Sequence, residues 1–224
     1  MAAESEVLEE LRGLGTEQNR KVYHRHGVGG DCFGVSYADL GRIAKRLKRD
    51  HSLALRLWGT GNHDARVLAT MIADPAQADA ALLDAWVRDL QNYVLAEAVS
   101  GYAGRTALAR EKMEEYVRSP ELWTAYVGWN LLARLALADK ALPDEYFAAY
   151  IPLIERDARV GRNRVSHAMN SALIAIGLRN AHLEELALAA ARRIGKVEVD
   201  HGDTACKTPD AEAYIVKARQ RQKR

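Results

Sequence analysis

Histidine, cysteine and arginine are the residues of this sequence whose chemistry has to be placed first. Seven histidines invite a metal reading. His24 and His26 flank Arg25, while His51, His63, His167, His182 and His201 are scattered. A zinc centre draws three or four ligands from short, regular spacings, and neither an HExxH nor a Cys/His quartet is present. His201 and Cys206 could share an ion with Asp200 or Asp203, but a turn and helix cap explain that loop as well. No metal and no cofactor are expected. The two cysteines, Cys32 and Cys206, form no CxxC pair, and Cys32 has only distant histidines to serve as a base. There is no GxSxG nucleophile turn. Gly27-Val28-Gly29-Gly30 lacks the Lys-Ser/Thr and the preceding strand of a phosphate loop.

Charge offers a second kind of chemistry. A net charge of +2 does not announce a nucleic-acid binder, but its distribution is uneven. Arg156, Arg159, Arg162 and Arg164 stand close together with only Asp157 among them. From Lys207 onward six basic residues face Asp210 and Glu212. Such clusters can track phosphates locally, and solvated helix faces with a frayed basic tail account for them equally well. Loop placement and charge single out Arg66, Arg105, Arg162, Arg164 and Lys207 as candidate phosphate contacts.

The elements that must hold these side chains read as helices throughout. Ala and Leu dominate, with Arg and Glu between them, and these lose little rotamer freedom in a helix. Ser36 and Asp39 resemble a capping box ahead of Leu40, Ile43, Ala44 and Leu47, which share one face. His51-Ser52 leads into Leu53, Leu55, Leu57 and Trp58, closed by Gly59-Thr60-Gly61. Asn62 can cap a helix that Asp74-Pro75 stops. Further helices are expected over Asp79 to Leu90, Asn92 to Tyr102 and Thr106 to Val117. Ser119-Pro120-Glu121, Pro143-Asp144-Glu145 and Thr208-Pro209-Asp210 are three starts of one chemistry, and Gly161, Gly177 and Gly195 punctuate the last third. Lys196-Val197-Glu198-Val199 is the one extended run, too short to anchor a sheet.

Ten to twelve helices joined by short connections suit antiparallel pairs stacked as a HEAT-like or armadillo-like α-solenoid, with a helical bundle as the fallback. The expected organisation is one helical-repeat domain over 1–224, with an N-terminal helix in 1–20 and a basic C-terminal helix and tail in 207–224. No basic start precedes an apolar run, and no apolar stretch is long enough to span a membrane, so a cytoplasmic monomer is expected.

Several segments together resemble the DNA alkylation repair family, the AlkD-like HEAT-repeat DNA glycosylases. The most specific are Phe33-Gly34-Val35, which leads through Ser36 into Asp39-Leu40-Gly41-Arg42-Ile43-Ala44-Lys45, and His63-Asp64-Ala65-Arg66-Val67-Leu68-Ala69. Leu53 to Trp58, Ile72-Ala73-Asp74-Pro75, the Trp86 helix leading to Asn92-Tyr93, and Ile194 to Ala211 extend the likeness to about residues 20 to 217. The resemblance implies a C-shaped stack of helix pairs gripping duplex DNA in a concave face. It also implies hydrolysis of the glycosidic bond of N3- or N7-alkylated purines, aided by aromatic rings and a carboxylate against the deoxyribose.

Carried over, the family's Trp-x-x-x-Asp falls on Tyr93-Val94-Leu95-Ala96-Glu97, whose four-residue spacing keeps aromatic and acid on one face. A helix start with a solvated acid is the plainer explanation of that pair. The family's arginine falls on Tyr126, and its second tryptophan near Ser171. Trp123, Trp129, His167 and Asn170 are further cleft candidates on the same two helices, although tryptophans at helical spacing usually pack a core. Three functions remain in view: an alkylpurine glycosylase, a catalytically silent scaffold for DNA structures or a protein partner, and a general protein-binding adaptor.

Overall fold

The computed structural model describes residues 3–160 and 162–222. Gly161 and the basic tail residues Lys223 and Arg224 lie outside them. Among the described residues there are fourteen α-helices, one 3-10 turn and no strand. Lys196 to Val199, expected to be extended, forms neither helix nor strand. Among the described residues no helix is long and apolar enough to cross a membrane. Backbone contacts fall into two compact units, Met1–Leu108 with Gly202–Thr204, and Ala109–His201 with Ala205–Arg224.

The first unit holds α1 (Glu4–Leu14), α2 (Glu17–Arg25), α3 (Tyr37–Leu47), α4 (His51–Gly59), α5 (His63–Ile72), α6 (Ala80–Arg88) and α7 (Tyr93–Ala103). The single N-terminal helix expected over 1–20 is two helices. Gly15 turns extended between them, where a Cβ would lie 2.2 Å from the Phe33 carbonyl oxygen, and Thr16 caps α2 by accepting from Asn19 N. Side-chain caps set most other starts. Ser36, Asp50, Asn62, Asp79 and Asn92 each accept from the amide three residues on. Leu53, Leu57 and Trp58 of α4 are buried, but Leu55 is 42% exposed because the helical period carries it off that face. α5 is the central element, packed against α3, α4 and α7. Beside it the Trp58 and Trp86 rings stack at 4.2 Å, and Trp86 meets Tyr102 at 5.1 Å.

The second unit holds α8 (Ala109–Tyr116), α9 (Leu122–Ala138), α10 (Asp144–Ala148), α11 (Ile151–Asp157), α12 (Asn163–Gly177), α13 (Ala181–Ile194) and α14 (Ala211–Gln222). α9 packs against both α8 and α12. Gly128 permits the α8 contact, since a Cβ there would lie 2.5 Å from Val117 N. Arg179, just after α12, donates to the carbonyls of Ala136 and Leu142 at 3.1 and 2.6 Å and to that of Asp139. It thereby closes the C-terminal end of α9. Three expected starts shift. The helix expected from Thr106 begins at Ala109. Ser119 accepts from Glu121 N without capping α9, which begins at Leu122, because Arg162 holds the Ser119 and Pro120 carbonyls in a separate turn. Thr208 yields its capping role to Asp210, which accepts from Ala213 N at 2.8 Å, because the Thr208 hydroxyl is taken by His167 and His201.

Candidate functional site

In the first unit, α7 buries Leu95, Ala96, Val99, Ser100, Tyr102 and Ala103, so residues one and five of the helix are turned outward. These are Tyr93, half-buried, and Glu97, exposed. The capping Asn92 is itself buried and fixes where the helix begins. The Tyr93 hydroxyl is hydrogen-bonded to His26 Nδ1, and the two rings lie 5.9 Å apart. Tyr37, the first residue of α3, is 47% exposed. Its hydroxyl is pushed up to about 12, first by loss of water and then by the charges of Glu97, Asp64 and Tyr93. Two phenol rings, an imidazole and a carboxylate thus gather where α2, α3 and α7 present their ends. Such a surface can stack on flat or sugar groups and attract positive charge.

Sequence reasoning reached Tyr93 and Glu97 but not His26 or Tyr37. His26 was visible only as one of several scattered histidines. Tyr37 directly follows the Ser36 cap, and the outward position N1 after a cap was the available signal.

The frame under this surface is built around Asp64. Its carboxylate, fully buried, accepts from Phe33 N at 2.6 Å, Gly34 N at 3.2 Å and Val35 N at 2.8 Å. Gly34 has φ +82°, and a Cβ there would come within 2.6 Å of the Thr16 carbonyl oxygen, so only glycine fits. The Val35 carbonyl accepts from the Tyr23 hydroxyl. Cys32 is buried beside this loop; burial first and then Asp64 push its thiol up to about 12, which favours the protonated thiol at neutral pH. His63 is also buried, edge-on to Tyr23 at 5.4 Å, and burial pushes its pKa down.

The proposed phosphate ligands have varied surroundings. Arg66 donates to the Trp58 carbonyl at 3.1 Å, lies 5.1 Å over the Trp58 ring and approaches Asp89 at 3.5 Å. Its guanidinium therefore ties α4, α5 and the end of α6 together. Arg105 is exposed and donates to the Thr70 carbonyl at 2.9 Å. Arg162 holds the turn before α9, and Lys207 is exposed.

In the second unit, Tyr126 is 1% exposed and Trp129 2%, both in the core. Trp123 stands edge-on to Tyr126 at 5.9 Å. Ser171 Oγ donates back to the His167 carbonyl of its own helix at 3.0 Å. Arg164, His201, Thr208 and His167 form a chain with bonds of 3.3, 3.0 and 3.1 Å. A guanidinium can only donate, so His201 Nδ1 accepts, its Nε2–H donates to Thr208, and the Thr208 hydroxyl donates to His167. Both imidazoles are then neutral. This agrees with His167 being pushed down to about 4, by burial first and then by His201 and Arg164. Asn170 donates to the Pro209 carbonyl at 3.0 Å and anchors the same loop to α12. His167 and Asn170 thus hold the loop before α14. Cys206 is exposed, and among the described residues no three His, Cys, Asp or Glu side chains converge as a metal site.

The family model described as DNA alkylation repair enzyme matches residues 7–215. The chain belongs to that family. Uncharacterized protein Lmo0209 of Listeria monocytogenes is 28% identical over 225 residues, covering 96% of each chain. Uncharacterized protein Lin0241 of Listeria innocua is 28% identical over 223 residues, covering 95% of each. A solved structure, from a family related to the HEAT-like repeat DNA glycosylases with affinity for branched DNA structures, superposes with a TM-score of 0.91. It is 26% identical and covers 99% of this chain and 95% of its own. The all-α fold is thus that of the HEAT-like repeat DNA glycosylases. The two blocks most specific to the family, Phe33-Gly34-Val35 and His63-Asp64-Ala65, meet through the Asp64 carboxylate, so they mark the frame of the α7 surface rather than its chemistry.

Proposed function

We propose that this member of the DNA alkylation repair family binds DNA at branch points and places the Tyr37, Tyr93 and Glu97 face against the sugars and bases there. The open, aromatic α7 surface carries the reading, because unstacked nucleotides at a branch offer flat faces to such rings. The structural relative with affinity for branched DNA supports it. Arg105 and Lys207, both exposed, are the first candidates for phosphates, with Arg66, Arg162 and Arg164 more deeply tied into the fold. Titrating a labelled four-way junction and a linear duplex at several salt concentrations tests this. The junction should bind more tightly, with affinity falling steeply as salt rises. Tyr37→Ala should weaken junction binding by about 1–2 kcal/mol. Equal affinity for both DNAs, or none for either, defeats the proposal.

A second reading, hydrolysis of alkylated purines, is favoured by the Tyr93–Glu97 pairing on one face. Against it stand the two positions where the family resemblance places an arginine and a tryptophan. Tyr126 is sealed in the core, and Ser171 offers neither a cation nor a ring. Release of 7-methylguanine from a methylated duplex decides between the readings. Wild-type release that Glu97→Gln abolishes establishes the glycosylase, and absence of release with junction binding intact removes it.

A further inference from the structure

A groove of the second unit is lined by residues of α8, α9, α11 and α12 and of the turns between them. It has a volume of about 910 Å³, within the range of about 300–1,000 Å³ typical of pockets for small molecules. Trp129 forms part of its lining, with Tyr150 at 87° to the indole and 6.3 Å away, and Met169 beside them. Arg118 lines it too, exposed, with no hydrogen bond or ion pair to its side chain among the described residues. Leu153 and Val160 complete the lip and are 36% and 81% exposed, an apolar rim that water covers at a cost.

Two features point to a ligand rather than to a simple gap between helices. Trp129 is 98% buried by side-chain packing, yet its Nε1–H has no hydrogen-bond partner among the described residues. Buried indole donors normally find an acceptor. The Arg118 guanidinium feels Glu114 only through space: Glu114 is bonded to Arg110 and Tyr146, and Arg156 is paired with Asp157, so the Arg118 donors are left for an incoming anion. An aromatic corner, an unmet donor and an exposed cation are the requirements of one nucleotide. Its base offers a flat face and carbonyl acceptors, and its phosphate carries the charge. A purely apolar peptide would leave both polar groups unanswered.

We infer that this groove receives a single unpaired nucleotide of a branched DNA. The base lies against Tyr150 and Met169 with an acceptor towards Trp129, and the phosphate lies at Arg118. The inference rests on the proposed DNA-binding function but concerns other residues, so the two can fail separately.

The test compares a three-way junction carrying a short unpaired thymidine flap with the same junction fully paired, together with free tetrathymidylate. The wild-type protein should prefer the flap-bearing junction about tenfold. Arg118→Glu should remove that preference while leaving affinity for the paired junction within about twofold. Arg134→Glu makes the same charge change at an exposed position outside the groove, and should lower both affinities together or neither. Tyr150→Leu, which keeps apolar bulk without the ring, should also abolish the preference. Equal binding of the two junctions by wild type, or equal losses from Arg118→Glu and Arg134→Glu, overturns the inference while leaving branch binding intact. If no junction binds, branch binding fails. The groove is then judged by tetrathymidylate alone: binding that Arg118→Glu abolishes sustains it, and no binding overturns it.

Discussion

Both carboxylate oxygens of Asp64 face main-chain donors, and no water reaches them. Three amides of one tight loop converge on a single side chain, so removing that side chain strands several buried N–H groups at once. Asp64→Ala should therefore lower the free energy of unfolding by about 2–4 kcal/mol. Asp64→Asn keeps the shape but turns an NH2 group towards an amide donor, and should still lose about 1–3 kcal/mol. Urea titrations at neutral pH check both, and a loss under 0.5 kcal/mol for Asp64→Ala would contradict the role given to it. Because the loop carries Ser36, the cap immediately before Tyr37, the same variants should loosen the α7 surface.

At the scale of elements, most helix starts were legible. A single Asp, Asn or Ser accepts from the amide three residues on, and that geometry is local. The starts at Ser119 and Thr208 were misread for a non-local reason: Arg162 and the His167–His201 pair claim the groups that capping would have used. Arg179 is the clearest case of an invisible residue. Nothing in its neighbourhood announces that its guanidinium will reach back about forty residues to close α9 and stack 4.4 Å over Phe147. Arg179→Ala should destabilise the second unit by about 3 kcal/mol, since several carbonyls and Asp144 lose a buried partner. Arg179→Lys should recover less than half of that loss, because a point ammonium cannot span the same acceptors. Thermal denaturation of the two variants beside wild type tests the ranking, and full recovery by lysine would refute it.

For the whole molecule, each unit contains a histidine held neutral by burial, His63 in the first and His167 in the second. Both pKa values lie below that of an unfolded histidine, so the unfolded chain takes up more protons. Their contribution to stability is present above about pH 6.5 and is lost as the pH falls, for His167 through about 4. Unfolding midpoints in urea should fall between pH 7 and pH 5, before most carboxylates titrate. His167→Gln should flatten that slope, and an unchanged slope would show that His167 does not set it.

The sequence by itself determined that the chain is helical, where most helices begin and which family it belongs to. Periodicity and caps act over a few residues, and the Phe33-Gly34-Val35 and His63-Asp64 blocks that carry the family resemblance are joined by one buried carboxylate. Only the tertiary structure decided what the chemistry-bearing residues do. Tyr93 and Glu97 came out at the surface and gained Tyr37 and His26 as neighbours, while Tyr126 went into the core and His167 and Asn170 into a loop anchor. Exposure and partnership depend on groups brought together from distant parts of the chain, and no local spacing encodes which of them will meet.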